Sequence, residues 1–77
     1  MAPLNRITHD PALMGGKPCI RGTRVTVGTV LGLMASGHSR PEILRLYPYL
    51  EDADITETLS YAARVADGDF PSVVVGI

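Results

Sequence analysis

The chain has 77 residues with seven Lys and Arg, eight Asp and Glu, one cysteine and no tryptophan, so its formal net charge is −1. One cysteine excludes an internal disulfide and leaves too few ligands for a zinc site. No stretch approaches the roughly 20 apolar residues that span a membrane, and no signal-peptide pattern opens the chain. The sequence therefore predicts one small cytoplasmic domain. Such a small chain buries little surface on folding and has neither a disulfide nor a structural metal to stabilise it. We therefore expect a homodimer or a complex.

The charges are distributed unevenly along the chain. Residues 1–45 carry six Lys or Arg against two acids, which gives +4, whereas residues 46–77 carry one Arg against six acids, which gives −5. This split favours two different partners, one of them anionic. Packing of the basic part on the acidic part, or an ordinary solvated surface, fits the same composition.

The first element in chain order is an arm rich in Gly, Pro and Thr, with short β-prone pieces at residues 6–8, 18–20 and 24–25. Its centre is the stretch GGKPCIRGTR, residues 15–24. Gly15 and Gly16 favour a reversal with positive φ, and Gly22 turns Ile20 back towards Val25. If those two apolar side chains face inward, the neighbouring arginines, Arg21 and Arg24, form an exposed basic ridge.

Three helices follow, predicted near residues 27–36, 39–47 and 52–66. Thr26 and Ser39 are typical N-caps, Glu42 completes a capping box, and Gly37 ends the first helix. The predicted inward stripe of the third helix consists of Ile55, Leu59, Ala62, Ala63 and Ala66. The fold class is therefore mostly α, with a three-helix helix-turn-helix core behind a β-hairpin arm in residues 1–68, and a β-prone tail in residues 69–77. A generic three-helix bundle without a DNA role has the same periodicity.

The sequence contains no pattern that predicts catalysis. GGKPCIRGTR lacks the GxxxxGK[ST] spacing of a phosphate-binding loop, and Pro18 removes a donor. His9, His38 and Cys19 have no suitably spaced partner, and Cys19 is expected to be a buried apolar thiol. We therefore expect a protein that is not an enzyme, with no catalytic residue, metal, cofactor or small-molecule substrate.

Two sets of residues are candidates for binding. The third helix is acidic and a poor reader of the major groove, so phosphate contacts to DNA are expected from the basic residues Lys17, Arg21, Arg24, Arg40 and Arg45. The tail could anchor a partner through Asp67, Asp69, Phe70, Val73, Val74 and Val75. Alternatively, the tail folds back on its own domain or pairs with a twin subunit.

The run from Ile7 to Ala62 resembles the bacterial domain-of-unknown-function family 433. The resemblance rests on GGKP, on GTR followed by Val, on a Gly before a Ser-led helix, and on YP, DI and YA. It implies a homeodomain-like helix-turn-helix and a VapB-like antitoxin of a type II toxin–antitoxin pair. The partner would be a PIN-type ribonuclease, and a dimer would repress its own operon at operator DNA. Glu51 departs from the Thr or Ser that the family favours as a helix cap. A DNA-binding regulator without a toxin, and a structural dimerisation module, remain alternatives.

Overall fold

The strands and helices follow the predicted order. The computed structural model describes residues 4–12, 14–69 and 73–74, the last two by their backbone. Its elements are strand β1 (Leu4–Thr8), a 3-10 turn (Met14–Gly16), strand β2 (Cys19–Ile20), helix α1 (Val27–Ala35), helix α2 (Arg40–Leu46), helix α3 (Asp52–Ala66) and strand β3 (Val73–Val74). The three predicted helices are confirmed to within one residue at each end.

The helix ends are fixed by the residues that the sequence singled out. Thr26 Oγ1 accepts the N–H of Thr29 at 3.0 Å. Ser39 and Glu42 form a reciprocal capping box, with the Ser39 N–H donating to Glu42 Oε1 at 2.9 Å. Gly37 ends α1 with φ of +96°, and its N–H donates to Met34 O at 3.0 Å. Local hydrogen bonding therefore sets where α1 and α2 begin and where α1 ends.

The arm reverses as predicted. The Ile20 N–H donates to Val25 O at 2.9 Å, and Gly22 sits between them with φ of +79°. Ile20 and Val25 are both buried, whereas Arg21 and Arg24 are both exposed. The predicted strand at residues 24–25 is reduced to a single bridge between Cys19 and Thr26.

β1 is the central strand of a three-stranded sheet with the order β2-β1-β3. It pairs antiparallel with β2, where Ile7 faces Ile20 and Thr8 faces Cys19. It pairs parallel and irregularly with β3, through Leu4 with Val73 and Thr8 with Val74. The backbone of residues 73–74 therefore folds back on its own domain, which was one of the two arrangements left open for the tail. Phe70 and Val75 lie outside the described residues.

The core is shared by all of the main elements. It contains Ile20, Val25, Val30, Ile43, Leu50 and Ile55. These residues come from β2, the arm, all three helices and the connection between α2 and α3, so no helix could bury its apolar side alone. Three helices around a short sheet is thus the architecture, and the homeodomain-like arrangement stays a prediction.

The inward face of α3 differs from the prediction. Its buried residues are Asp54, Ile55 and Thr58, whereas Leu59 is 38 % exposed and Ala63 and Ala66 are exposed. Thr58 can be fully buried because its hydroxyl donates to Asp54 O within the helix at 2.9 Å. A helical pattern read from apolar residues alone does not include a buried threonine. The prediction therefore placed the buried face of α3 too far towards Leu59.

Two glycines near α1 should respond in opposite ways to alanine. Gly32 is exposed in the helix and no atom lies within 4 Å of the position that a methyl group would take, so Gly32→Ala should raise the free energy of unfolding by about 0.5–1 kcal/mol. Gly37→Ala should lower it by about 1 kcal/mol, because its φ of +96° disfavours a Cβ. Urea denaturation of both variants measures this. A loss of stability for Gly32→Ala would contradict the exposure of this face.

Candidate functional site

Arg6 on β1 is held by acidic side chains of α3 and its N-cap. Arg6 Nη1 donates to Glu51 Oε1 at 2.9 Å and to Asp54 Oδ1 at 3.1 Å. Its backbone N–H donates to the carboxylate of Glu57. The hydrogen bonds to Glu51 and then to Asp54 raise the pKa of Arg6, so it stays charged. This Arg6 cluster (Arg6, Glu51, Asp54 and Glu57) joins the first strand to the last helix.

Glu51 is the N-cap of α3, but its side chain faces Arg6. The cap is completed from the other direction, because the Glu51 N–H donates to Asp54 Oδ2 at 2.7 Å. A Thr or Ser at this position would cap the helix through its own side chain. The departure at Glu51 therefore places a carboxylate beside Arg6 without moving the start of α3 from residue 52.

Arg40, one of the predicted phosphate contacts, is bound to α3. Its Nε donates to Asp52 Oδ1 at 2.8 Å, and its Nη2 donates to the Asp52 carbonyl at 2.9 Å and to Thr56 Oγ1. The hydrogen bond from Arg40 lowers the pKa of Asp52. Arg6 and Arg40 thus pair the basic part of the chain with its acidic part. This agrees with one interpretation of the uneven charge distribution, in which the two parts pack on each other.

The other basic residues of the predicted DNA set lie in different places. Arg21 and Arg24 flank the Gly22 turn, are exposed, and form no ion pair within residues 4–12 and 14–69. Arg45 lies in the last turn of α2, where its charge helps to lower the pKa of Glu42 after the stronger effect of the Ser39 hydrogen bonds. Lys17 lies on a separate open groove of 590 Å³ beside the start of α1, together with Tyr61 of α3. Arg21 and Lys17 thus line different pockets, and the assignment of the set to DNA stays a prediction.

A polar cleft lies next to Arg21, and its exposed aromatic residue was missed in the sequence. We call it the Tyr49 cleft; it has a volume of 130 Å³ and is lined by Arg6, Ile20, Arg21, Thr23, Tyr49, Glu51 and Asp54. Tyr49 is 62 % exposed, and its ring meets Tyr47 edge to face with centroids 6.2 Å apart. In the sequence YPYL, residues 47–50, a tyrosine just after the Pro48 helix stop was the available signal.

Cys19 is confirmed as a buried thiol. It is 1 % exposed, its Sγ lies 3.4 Å from Lys17 O, and burial raises its pKa. A thiol in this state is a poor nucleophile. Across the described part of the chain, no group of three His, Cys, Asp or Glu residues could hold a metal ion. Over the same residues, no helix has the length and apolar character to cross a membrane.

The described part of the predicted partner-binding tail is small. Asp67 and Asp69 are exposed just beyond α3, and the backbone N–H groups of both donate to carbonyls of the last helical turns. The exposed side of α3 continues from these acids through Ala66, Ala63 and Leu59. We call Leu59, Ala63 and Ala66 the outer stripe of α3.

Comparison with known proteins identifies the family. Residues 7–62, more than half of the chain, match the family described as "Protein of unknown function (DUF433)", and the chain belongs to that family. It is 37 % identical over 78 residues to the uncharacterized protein y4eO of Sinorhizobium fredii, covering 90 % of this chain and 35 % of that protein.

A solved structure supports the fold. The crystal structure of a DUF433 member from Anabaena variabilis superposes with a TM-score of 0.78 at 29 % identity, covering 84 % of this chain and 64 % of that one. The chain thus spans about a third of the curated relative and less than two thirds of the solved one. The resemblance seen in the sequence is confirmed at the level of the family.

The ion pair between Arg40 and Asp52 should affect how steeply the melting temperature falls at acid pH. Because the folded state lowers the pKa of Asp52 below its ordinary 3.8, the contact stabilises above that pH and is lost as the pH falls through it. Thermal melts between about pH 5 and pH 3 should therefore fall less steeply for Asp52→Asn than for the natural chain. Asp67→Asn, which removes an exposed carboxylate away from Arg40, should keep the natural slope. Equal slopes for all three proteins would contradict the contact.

Proposed function

We propose that this protein is an antitoxin-like binding protein that covers and neutralises a PIN-type ribonuclease and, as a homodimer, represses its own operon. The support from the family is the resemblance of residues 7–62, and the support from the structure is a surface suited to a protein partner. We expect a binding protein rather than an enzyme, because no pattern in the sequence predicts catalysis.

The observation that carries the proposal is the outer stripe of α3. Leu59, Ala63 and Ala66 lie on one side of the helix at the i, i+4, i+7 spacing, and the fold leaves them uncovered. An exposed apolar strip of this kind offers a contact surface to another protein. A partner that covers the stripe would bury a leucine and bring two small side chains into close contact.

The charge beside the stripe suits a basic partner. Asp67 and Asp69 follow the stripe at the end of α3, are exposed, and form no ion pair within residues 4–12 and 14–69. A ribonuclease has to hold the phosphates of its substrate, so we expect cations on its RNA-binding face. Acids at the rim of the stripe would steer such a face towards α3 and exclude acidic competitors.

The tail remains a second surface for the same partner. Its predicted contacts were Asp67, Asp69, Phe70, Val73, Val74 and Val75. Because the backbone of residues 73–74 pairs with β1, this segment contributes to the domain itself. We therefore place the main partner surface on the outer stripe of α3 and the tail beside it.

A DNA-binding regulator without a toxin is the second candidate, favoured by Arg21 and Arg24, which are exposed and form no ion pair within residues 4–12 and 14–69. A module that only dimerises would use neither these arginines nor the stripe. Co-purification with the product of the adjacent gene separates the first function from the other two, because only the first requires that product to bind.

Leu59→Asp should break the proposed interface. The variant removes apolar burial and forces a carboxylate into the contact, so affinity for the adjacent gene product should fall by about tenfold or more. Ala53→Asp is the matched control, because Ala53 is exposed on another side of the same helix. Co-purification and calorimetric titration of both variants test this. Equal binding by Leu59→Asp and the natural chain would exclude the stripe as the partner surface.

Cutting the chain after Gly68 distinguishes the tail from the stripe. Removing β3 leaves one edge of β1 without its hydrogen bonds, each worth about 0.5–1.5 kcal/mol net, so the melting temperature should fall by several degrees. If α3 is the main surface, the folded truncated chain still captures the partner with weakened affinity. Complete loss of capture by a chain that remains folded in circular dichroism would place the main surface in the tail.

A further inference from the structure

We propose that the Tyr49 cleft binds a short stretch of single-stranded nucleic acid, with one base stacked on Tyr49 and flanking phosphates on Arg21 and Arg24. This inference rests on the nucleic-acid-binding part of the proposed function and changes its location and ligand. It narrows the contact to the Gly22 turn and the connection between α2 and α3, and it keeps Arg21 and Arg24 of the predicted set.

The first observation is the exposure of Tyr49. Among the large apolar residues that the structure shows exposed, it has the highest exposed fraction, at 62 %. It adds little to the core, yet its ring is held edge to face against Tyr47, which packs on the core. An aromatic ring fixed in position and left in solvent offers a stacking platform at little cost in side-chain entropy.

The second observation is the state of the charges around it. Arg21 lines the same cleft as Tyr49, and Arg24 follows across the turn. Neither forms an ion pair within residues 4–12 and 14–69. The two acids of the cleft, Glu51 and Asp54, are both hydrogen-bonded to Arg6, and Arg6 and Arg21 together balance their charge. Arg24 adds one exposed cation across the turn, so Arg21 and Arg24 can each meet a phosphate beside the ring.

The exposed ring and the neighbouring arginines together favour single-stranded nucleic acid over a duplex. In a duplex the base faces are covered by their neighbours, so a tyrosine at the surface cannot stack on one without extruding it. A single strand offers base faces freely, and combined stacking and phosphate contacts bind it with little dependence on sequence. By contrast, the acids of α3 disfavour its entry into a major groove.

The test uses the full chain and a fluorescein-labelled oligo(dT) of about ten nucleotides, followed by fluorescence anisotropy. Tyr49→Ala should weaken binding by about 5- to 150-fold, which corresponds to the loss of one stacked base. Tyr49→Phe should bind within about twofold of the natural chain, because the ring is retained. Tyr61→Phe is the control for a tyrosine elsewhere on the surface.

The charges are tested by salt dependence on the same oligonucleotide. Arg21→Ala and Arg24→Ala should each reduce the log–log salt slope by about 0.7, the value for one phosphate contact to a single strand. Arg64→Ala should leave the slope unchanged, since Arg64 lies on α3, lines neither groove and was not assigned to nucleic acid. An equal effect of Arg64→Ala would show general attraction and overturn the proposal.

Three further results would overturn it: no binding of the oligonucleotide by the natural chain, unchanged binding by Tyr49→Ala, or tighter binding of a duplex of the same length. Capture of the adjacent gene product is measured on the same preparations. If Tyr49→Ala loses that capture and keeps the oligonucleotide, the cleft belongs to a protein interface. If Leu59→Asp alone loses capture, the two surfaces are separate, so either proposal can fail without the other.

Discussion

The placement of Arg6 against α3 is the contact on which the arrangement of this domain depends most directly. Its side chain bonds to residues 45 and 48 positions later, and its backbone N–H bonds to Glu57. Its carbonyl also accepts the N–H of Arg21 at 2.7 Å. One residue therefore connects β1, the Gly22 turn and α3. Without its charge, the buried carboxylate of Asp54 and the carboxylate of Glu51 would both lose the cation to which they are hydrogen-bonded.

The features predicted from sequence were those that local chemistry decides. Thr26, the Ser39 capping box and Gly37 set helix ends through hydrogen bonds within a few residues, and Gly22 turns the arm through its own φ. The features that were missed depend on residues far apart in sequence. Nothing local indicates that Arg40 reaches Asp52 and Thr56, or that Thr58 rather than Leu59 is buried, because both follow from how α3 rests on the rest of the domain.

The candidate site could be predicted only in part, because it also depends on contacts between residues far apart in sequence. A sequence gives each cation equal standing, so Arg40 and Arg21 were both assigned to phosphates. In the folded chain, Arg40 donates three hydrogen bonds to α3, whereas Arg21 forms no ion pair within residues 4–12 and 14–69 and lies beside an exposed tyrosine. Sorting charged residues by whether the fold already uses them leaves two candidate surfaces, the outer stripe of α3 and the Tyr49 cleft. They differ in chemistry: one is apolar with acids at its rim, and the other is aromatic with exposed arginines beside it.

Because Cys19 is buried in the sheet, its reaction with a thiol reagent can report when the sheet opens. Its backbone lies opposite Thr8 of β1 on one side and bridges Thr26 on the other. A thiol reagent can reach the sulfur only when these pairings separate, and burial keeps the thiol protonated until they do. The rate of labelling of this single cysteine thus reports how often the sheet opens, in a chain without tryptophan to report it by fluorescence. A ligand that tightens the arm or the β1–α3 contact would slow that reaction without touching the sulfur, so occupancy of a distant surface can be followed chemically.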